Sequence, residues 1–243
     1  MQKDLQSYKK HNDGYETDKD YYTKEAIISR TEKTDDFTRA GFAFALSLTK
    51  ELPKIHIDIG SGVGWLVRKM SPHFERSIGI EPSHAAIIAA KNLTEGMENV
   101  SYMEEDMVEA YKKLNLTEPA FFTTGAVLSH IENYYVEEFL KLLNTAPTGS
   151  VLFFSENYDE NMDWRMWHIR NQEWWTAHLS NWQLVFCNIA NDGYQSGIYG
   201  LKVSTSDKLK NSPRGILFTI SWKLNMVYNL IKRVLKKILR GFK

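Results

Sequence analysis

Residues 55–65 read Ile-His-Ile-Asp-Ile-Gly-Ser-Gly-Val-Gly-Trp, an apolar run followed by glycines at alternate positions. The length and β-branched content of the run predict a buried strand, and the glycines predict a tight turn after it. Glycine is needed where a chain turns sharply and where a ligand approaches the backbone closely. The stretch therefore predicts a strand that ends in a ligand-binding loop, with the pattern D-x-G-x-G-x-G formed by Asp58, Gly60, Gly62 and Gly64.

An acidic residue follows this loop at the distance typical of a ribose-binding site. Glu81 ends the next apolar run, 21 residues beyond Gly60. An acid about 20 residues after such a loop, at the tip of the second strand, accepts hydrogen bonds from ribose hydroxyls. The nicotinamide pattern G-x-G-x-x-G would place a glycine at position 65, which is Trp65. The loop thus fits a ribose-containing ligand but not the dinucleotide fingerprint.

Short apolar runs alternate with amphipathic segments on both sides of the loop, which predicts a parallel, doubly wound α/β sheet. The turn around Asp192-Gly193 joins the last two strands, so they are predicted to pair antiparallel. A further helix is predicted over 35–50. The predicted strands are 54–59, 75–80, 99–103, 119–124, 150–155, 182–188 and 197–204, and the remaining predicted helices are 63–71, 83–91, 107–114, 133–144 and 170–180.

On the glycine pattern and Glu81, residues 54 to about 204 resemble class I S-adenosylmethionine-dependent methyltransferases. The resemblance implies a Rossmann-like, doubly wound seven-stranded sheet of order 3-2-1-4-5-7-6, with strand 7 antiparallel. It implies that S-adenosylmethionine is the cofactor, that Asp58 and the loop backbone hold its methionine end, and that Glu81 holds its ribose. We divide the chain into an N-terminal lead-in and lid helix (1–53), the cofactor-binding methyltransferase domain (54–207) and a basic tail (208–243).

The resemblance also implies an adenine site after the third strand, in the segment Met-Glu-Glu-Asp-Met. Asp106 matches the acid that meets the adenine amino group in this family, and Met107 is placed to pack on the adenine ring. Glu104 or Glu105 is an alternative contact for the adenine, and solvation of all three acids is another.

Two histidines are candidates for a general base, because an imidazole with a pKa near neutrality suits proton removal from an oxygen acceptor. His130 follows the fourth strand, at the sheet edge where ligands of open α/β folds lie. His168, with Trp174 and Trp175, resembles a segment that follows strand five in many of these enzymes. The alternative for each is a capping or packing role, whereas His56, inside the first strand, is predicted to be a core residue.

The acceptor pocket is predicted from residues beyond strand five and from the N-terminal segment. Carboxylate and amide groups can orient a hydroxyl, aromatic rings bind sugar faces and cations, and a guanidinium binds phosphate or carboxylate. Trp182 and one of Trp174 and Trp175 are predicted to be core residues. The substrate-binding candidates are Glu156, Asn157, Trp164, Trp167, Arg170 and Tyr22.

The C-terminal tail differs in charge from the rest of the chain. Residues 208–243 contain 10 Lys or Arg and no acid, whereas the preceding part holds the other 20 basic residues and all 30 acids. Apolar residues from Val227 to Phe242 recur at helical spacing, with basic residues between them. This pattern predicts a basic amphipathic helix, and residues 216–243 are predicted to lie on an anionic membrane surface. Packing against the domain or a second subunit is the alternative.

These features predict a cytoplasmic enzyme, at the inner face of the membrane when the tail is docked. The N-terminus lacks an apolar signal segment, and Cys187 is the single cysteine. The predicted reaction is O-methylation of a sugar, a surface-glycan precursor or another small polar acceptor, as in bacterial capsule and lipopolysaccharide pathways, which the chain loosely resembles. The alternatives are N-methylation of a small amine and a non-catalytic cofactor-binding partner protein. We predict no metal and no nucleic-acid partner, and nothing in the sequence indicates an oligomeric state.

Overall fold

The computed structural model describes residues 53–157, 168, 170–189 and 194–201. Seven strands within these ranges form one sheet in the order β3-β2-β1-β4-β5-β7-β6. The strands are β1 (Ile55–Ile59), β2 (Arg76–Ile80), β3 (Val100–Met103), β4 (Ala120–Gly125), β5 (Val151–Asn157), β6 (Trp182–Ile189) and β7 (Tyr194–Leu201).

The first five strands are parallel, and β7 runs antiparallel to both β5 and β6. This is the order and direction that the resemblance implied. β7 begins about three residues earlier than predicted, at Tyr194, because the strand pairs with β5 immediately after the turn and places Tyr194 beside Asn157.

Five helices cross between the strands of the described part. They are α1 (Trp65–Met70), α2 (His84–Leu93), α3 (Met107–Leu114), α4 (Asn133–Leu143) and α5 (Gln172–His178). Single 3-10 turns lie at Ser71–His73 and Leu128–His130. α5 is shorter than predicted because Asn171 caps it, accepting a hydrogen bond from the Trp174 amide at 2.8 Å.

The hydrophobic core lies between the sheet and the helices α3, α4 and α5. β1 is buried on both faces, as expected of a central parallel strand. The predicted core roles of the tryptophans are confirmed: Trp175 and Trp182 are buried, and Trp174 packs against the same cluster. Large core side chains include Ile57, Phe122, Phe139, Leu140 and Phe154.

The opposite face of the sheet is covered by α1 and α2, and it contains polar groups. His56 is fully buried there, between the rings of Phe74 and Phe121, which confirms its predicted place in the core. Alternation along β1 puts His56 and Asp58 on this same face. Asp58 is the residue nearer the carboxyl end of β1, so its side chain lies close to the glycine loop that follows the strand.

Several predicted features lie outside the described residues. They are the helix over 35–50, the lid, the basic tail, and the candidate residues Tyr22, Trp164 and Trp167. Within the ranges that the structure describes, no helix has the length and apolar character needed to cross a membrane.

Candidate functional site

The glycine loop leaves β1 in a left-handed conformation. Gly60, Gly62 and Gly64 have φ of 69°, 51° and 70°, values that side-chain-bearing residues rarely adopt. A Cβ on Gly64 would lie 2.0 Å from the Tyr102 hydroxyl, so this glycine is required by packing. A Cβ on Gly62 would meet no atom of the described residues within 4 Å, so the described part of the chain leaves the loop backbone uncovered at this point. The loop is therefore packed against Tyr102 at Gly64 and uncovered at Gly62, which suits a loop that receives a ligand.

The carboxylate of Glu81 is hydrogen-bonded to the loop backbone at Gly62. It accepts hydrogen bonds from the backbone N–H of Gly62 at 2.9 Å and from that of Ser83 at 3.0 Å. The backbone N–H groups of Gly60 and Ser61 donate to the Ile80 carbonyl, which joins the loop to the end of β2. The predicted proximity of the loop and the acid is thus present in the structure. A carboxylate can accept about four hydrogen bonds, which suits the Glu81 side chain to meet several N–H or O–H donors at once.

Asp58 is a buried acid at the end of β1, directly before the glycine loop. It is 4% exposed, and its Oδ1 accepts a hydrogen bond from the Thr123 hydroxyl at 2.7 Å. Burial raises the pKa of Asp58 to about 7; the Thr123 hydrogen bond opposes this rise and the charge of Glu81 adds to it. A buried acid that titrates near neutrality at the mouth of a loop is typical of a functional site.

Asp106 begins α3 as its N-cap. Its Oδ1 accepts hydrogen bonds from the backbone N–H of Val108 at 2.9 Å and of Glu109 at 3.0 Å, and the Tyr135 hydroxyl also donates to Oδ1. None of these three bonds involves Oδ2. Tyr135 was not singled out in the sequence, because its contact with Asp106 depends on how α4 packs beside α3.

The other residues of the predicted adenine site are engaged elsewhere. Glu104 pairs with His84 at 3.0 Å, and Glu105 pairs with Lys113. Met107 is 4% exposed and belongs to the hydrophobic core. The prediction that Met107 packs on an adenine ring therefore needs correction, because its side chain is covered by the protein itself.

Glu156 anchors the β4 turn, which we define as residues 126–131. The carboxylate is 2% exposed and accepts hydrogen bonds from the Ser129 amide at 3.0 Å, the Val127 amide at 3.4 Å and the Thr124 hydroxyl at 3.2 Å. Burial raises its pKa, and the hydrogen bonds from the turn lower it. The prediction that Glu156 orients an acceptor hydroxyl is corrected: the carboxylate is committed to the backbone of the turn.

Arg170 holds the other end of the same turn. Its guanidinium donates to the carbonyls of Leu128 at 2.6 Å and Ile131 at 2.5 Å, and to the Asn133 side chain at 2.9 Å. Arg170 is 3% exposed, and burial lowers its pKa to about 10 despite the nearby charge of Glu156. The predicted contact of Arg170 with an acidic acceptor is therefore corrected to a structural role.

The two candidate histidines are brought to the same turn. His130 ends the 3-10 turn Leu128–His130, and the backbone N–H of His168 donates to the Ser129 carbonyl at 2.6 Å. The His168 ring lies 3.5 Å from Glu132 and its side chain is 29% exposed. Asn157 ends β5 at the same edge of the sheet.

The described residues at this edge combine an open glycine loop, a carboxylate held on its backbone, a buried acid and two imidazoles. Such a set can bind hydroxyl and ammonium groups and can accept a proton. Within the described ranges, no group of three or more His, Cys, Asp or Glu side chains is arranged to hold a metal ion.

Comparison with solved structures shows the same fold in several proteins, one of them an N-methyltransferase. NodS, an N-methyltransferase from Bradyrhizobium japonicum WM9 in complex with S-adenosyl-L-homocysteine, is 19% identical with a TM-score of 0.56, covering 70% of this chain and 91% of its own. The DhpI–SAH complex is 17% identical with a TM-score of 0.56, covering 73% and 90%. The PH0226 protein from Pyrococcus horikoshii OT3 is 13% identical with a TM-score of 0.58, covering 78% and 99%.

At the level of sequence, no curated protein matches the chain. A family model described as a methyltransferase domain matches residues 31–187, which is more than half of the chain and includes the glycine loop, Glu81, the β4 turn and α5. The chain therefore belongs to the methyltransferase domain family.

Proposed function

We propose that the chain is an S-adenosylmethionine-dependent methyltransferase that methylates a hydroxyl of a sugar, a glycan precursor or another small polar acceptor. The observation that supports this cofactor is the hydrogen bond from Gly62 to Glu81, because it holds a carboxylate that can accept from ribose hydroxyls beside the glycine loop. Two of the solved structures with this fold contain S-adenosylhomocysteine, the product of that cofactor.

The residues present suit each part of the cofactor. Glu81 would accept hydrogen bonds from the ribose hydroxyls, and the loop backbone with Asp58 would hold the methionine end. Asp106 would accept a hydrogen bond from the adenine amino group through Oδ2, since its bonds from Val108, Glu109 and Tyr135 all use Oδ1. When bound, S-adenosylmethionine supplies an electrophilic methyl carbon, so the protein's task is alignment and exclusion of water.

Removal of a proton from the acceptor falls to the histidines at the β4 turn. A hydroxyl is a weak nucleophile until its proton is taken by a base, and imidazole is suited to this near neutral pH. What supports this role is the position of His130 and His168 at one turn, close to the carboxyl ends of β4 and β5. Asn157, Trp164, Trp167 and Tyr22 stay candidates for the acceptor pocket.

Calorimetric titration with S-adenosylhomocysteine tests the cofactor site. We expect Glu81→Ala to bind about 10- to 100-fold more weakly than the wild type, because a hydrogen bond to a charged group contributes roughly 1.5–3 kcal/mol. Glu75→Ala is the matched control: Glu75 precedes β2 as Glu81 follows it, and its exposed side chain pairs with Lys54. A folded wild type that does not bind the ligand would overturn the proposal.

N-methylation of a small amine is the second candidate, favoured by the structural similarity to the N-methyltransferase NodS. A neutral amine already carries its lone pair, so it needs a base less than a hydroxyl does. Once an acceptor is found, near-normal turnover in the His130→Ala, His168→Ala double variant would favour N-methylation. A loss of 100-fold or more, which is the scale of general-base catalysis, would favour the hydroxyl.

We also propose that the basic tail docks the enzyme on an anionic membrane surface, where lipid-linked glycan precursors would be accessible. The support is its charge: 10 basic residues and no acid over residues 208–243, with an apolar residue at every third or fourth position from Val227 onward. Such a segment gains both from burial of apolar area and from attraction to anionic lipids.

A further inference from the structure

A row of three polar side chains lies behind the glycine loop, on the face of the sheet covered by α1 and α2. We call His56, Thr123 and Asp58 the polar row. Asp58 and Thr123 are register partners in the parallel pair β1–β4, and His56 lies two residues before Asp58 on the same face. The Thr123 hydroxyl lies 2.7 Å from Asp58 Oδ1 and 2.9 Å from His56 Nε2. His56 and Thr123 are fully buried, and Asp58 is 4% exposed.

The chemistry of the three groups fixes which atom donates to which. An ionised carboxylate only accepts, so the single hydroxyl proton of Thr123 must point to Asp58. The Thr123 oxygen is then an acceptor for His56, which must carry its proton on Nε2. Burial lowers the pKa of His56 to about 3, so the ring is neutral near pH 7 and has one N–H proton, which the bond to Thr123 requires on Nε2. The Nδ1 atom of His56 is buried and has no hydrogen-bond partner among the residues that the structure describes, and the ring lies between those of Phe74 and Phe121.

A buried histidine with one unsatisfied nitrogen costs free energy that a hydrophobic residue would avoid. The imidazole makes one polar contact within the described residues, and that contact is with Thr123. Because the imidazole donates to the Thr123 oxygen, the hydroxyl proton of Thr123 is directed to Asp58. The buried histidine therefore destabilises the protein but fixes the Thr123 hydroxyl as a donor, 2.7 Å from Asp58 Oδ1 beside the loop.

We propose that Thr123 and His56 are positioning residues that hold Asp58 in the orientation and ionisation state that receives the α-ammonium group of the cofactor. This inference rests on the proposed function. Thr123 does not touch the ligand in this scheme; it acts through Asp58. The three residues lie on one face of the adjacent strands β1 and β4, so the row is formed within the sheet itself.

The surroundings of Asp58 explain why such help is needed. Burial raises its pKa, and the charge of Glu81 adds to the rise, whereas the hydrogen bond from Thr123 opposes it. Of the other titratable groups near it, His56 is neutral, and Tyr102 on β3 carries no charge near neutral pH. Binding of an ammonium group to protonated Asp58 therefore releases one proton from its carboxyl to solvent. Loss of the Thr123 donor would move that proton release to higher pH.

The experiment compares two ligands across pH 5.5–8.5 by calorimetry. S-adenosylhomocysteine carries the α-ammonium group, and 5′-methylthioadenosine shares its adenosine and thioether but lacks the amino acid. We expect wild-type affinity for S-adenosylhomocysteine to fall below a midpoint near pH 7, as the pKa of Asp58 predicts, while 5′-methylthioadenosine shows no such midpoint. In Thr123→Val we expect the midpoint to rise by about one pH unit and affinity at pH 6.5 to fall about tenfold.

Two substitutions serve as controls. Thr123→Ser restores the hydroxyl and should return the midpoint toward the wild-type value. Thr124→Val removes a buried hydroxyl from the adjacent position of β4, on the opposite face, where it donates to Glu156 rather than to Asp58. It should leave the midpoint unchanged. Thermal unfolding of each variant shows whether it is folded at the temperature of the titration.

His56→Phe tests the second member of the row. Without the imidazole donor, the Thr123 hydroxyl can rotate away from Asp58, so the midpoint should shift in the same direction as in Thr123→Val but by less. In the double variant His56→Phe, Thr123→Val, the shift should equal that of Thr123→Val alone, because His56 acts only through Thr123.

The outcomes separate the two proposals. A wild type that binds neither ligand would overturn the cofactor assignment. If both proteins bind both ligands, and the pH midpoint for S-adenosylhomocysteine is the same in Thr123→Val as in the wild type, the positioning role is overturned. The cofactor assignment would then remain intact. An equal loss of affinity for both ligands in Thr123→Val would also overturn it, because the effect would then reach the adenosine part.

Discussion

Asp58 illustrates how a single residue of the site reduces the stability of the free protein. Its pKa is raised from 3.8 to about 7 by burial, so the folded protein binds a proton more tightly than the unfolded chain. The stability associated with this proton is fully present below about pH 3.8 and is lost as pH rises through the folded-state pKa near 7. A three-unit shift corresponds to about 4 kcal/mol at pH 8 and above.

We therefore predict that Asp58→Asn stabilises the ligand-free protein at pH 8 by up to about 4 kcal/mol, with a gain that shrinks as pH falls toward 4.5. An asparagine oxygen can still accept the Thr123 hydroxyl, so the buried hydrogen bond is kept. Urea unfolding at several pH values measures the difference. A stability difference that does not change with pH would contradict the prediction. Affinity for S-adenosylhomocysteine should fall in the same variant.

At this scale the sequence predicted residues whose spacing along the chain carries the signal. Glu81 was found from its distance to the glycines, and His56 from its place inside a strand. Thr123 was not found, because its role depends on which residue of β4 lies beside Asp58 in the sheet. The structural roles of Glu156 and Arg170 were missed for a similar reason: both act on the backbone of a turn whose path the sequence does not reveal.

Between residue and domain, the β4 turn is the element that brings the two candidate histidines together. Glu156 binds the N–H groups at its start, and Arg170 binds the carbonyls at its end. A negative charge at the amide end and a positive charge at the carbonyl end both complement the dipole of the turn. The two side chains come from β5 and from the segment before α5, so the turn is held only when these elements are in place.

We predict that Glu156→Gln destabilises the protein by about 2–3 kcal/mol, because the amide NH₂ would face backbone N–H donors. Arg170→Lys should cost a similar amount, since one ammonium cannot reach both carbonyls and Asn133. Both residues hold the same turn. The loss of stability in the double variant should therefore differ by 0.5 kcal/mol or more from the sum of the losses in the two single variants, on the usual scale of coupling between contacting residues.

Urea unfolding of the two single variants and the double variant measures this coupling. Glu132→Gln is the matched control: Glu132 also lies near Arg170, but its side chain is 62% exposed. It should change stability by less than about 0.5 kcal/mol. Strictly additive losses in Glu156→Gln and Arg170→Lys would show that the turn is not a shared unit.

The elements themselves were predicted well because their signals are local. Buried apolar runs of four to eight residues and helical periodicity place seven strands and five helices within a few residues of their observed ends. The exceptions have local causes that periodicity does not register: the Asn171 cap shortens α5, and pairing with β5 draws β7 toward the hairpin turn.

For the whole molecule, the order of the strands decides which residues meet. The crossover from β3 to β4 brings β4 beside β1, so Asp58, Thr123 and the β4 turn all reach the same edge of the sheet. The pattern of alternating elements predicts a parallel sheet, whereas the strand order came from resemblance to a family. Three candidate residues of the predicted acceptor pocket, Tyr22, Trp164 and Trp167, lie outside the described residues, and neither periodicity nor spacing identifies the acceptor.

Charge distribution is a second property of the whole chain, and it carries our last prediction. We expect the full-length protein to sediment with phosphatidylglycerol vesicles and not with phosphatidylcholine vesicles, and to dissociate as salt rises. Each basic residue near an anionic surface contributes about 1 kcal/mol, and added salt screens this attraction. Replacing Lys232, Lys236 and Lys237 with Glu should therefore abolish sedimentation while leaving affinity for S-adenosylhomocysteine unchanged.

The matched control carries the same change in net charge on the folded domain. Lys69, Lys91 and Lys141 are exposed on α1, α2 and α4, and their replacement with Glu should leave sedimentation nearly intact. If the domain and tail variants lose vesicle binding equally, net charge alone governs the association and the tail is not a docking segment. If the full-length wild type does not sediment with phosphatidylglycerol vesicles either, the proposal that the tail docks on an anionic membrane is overturned.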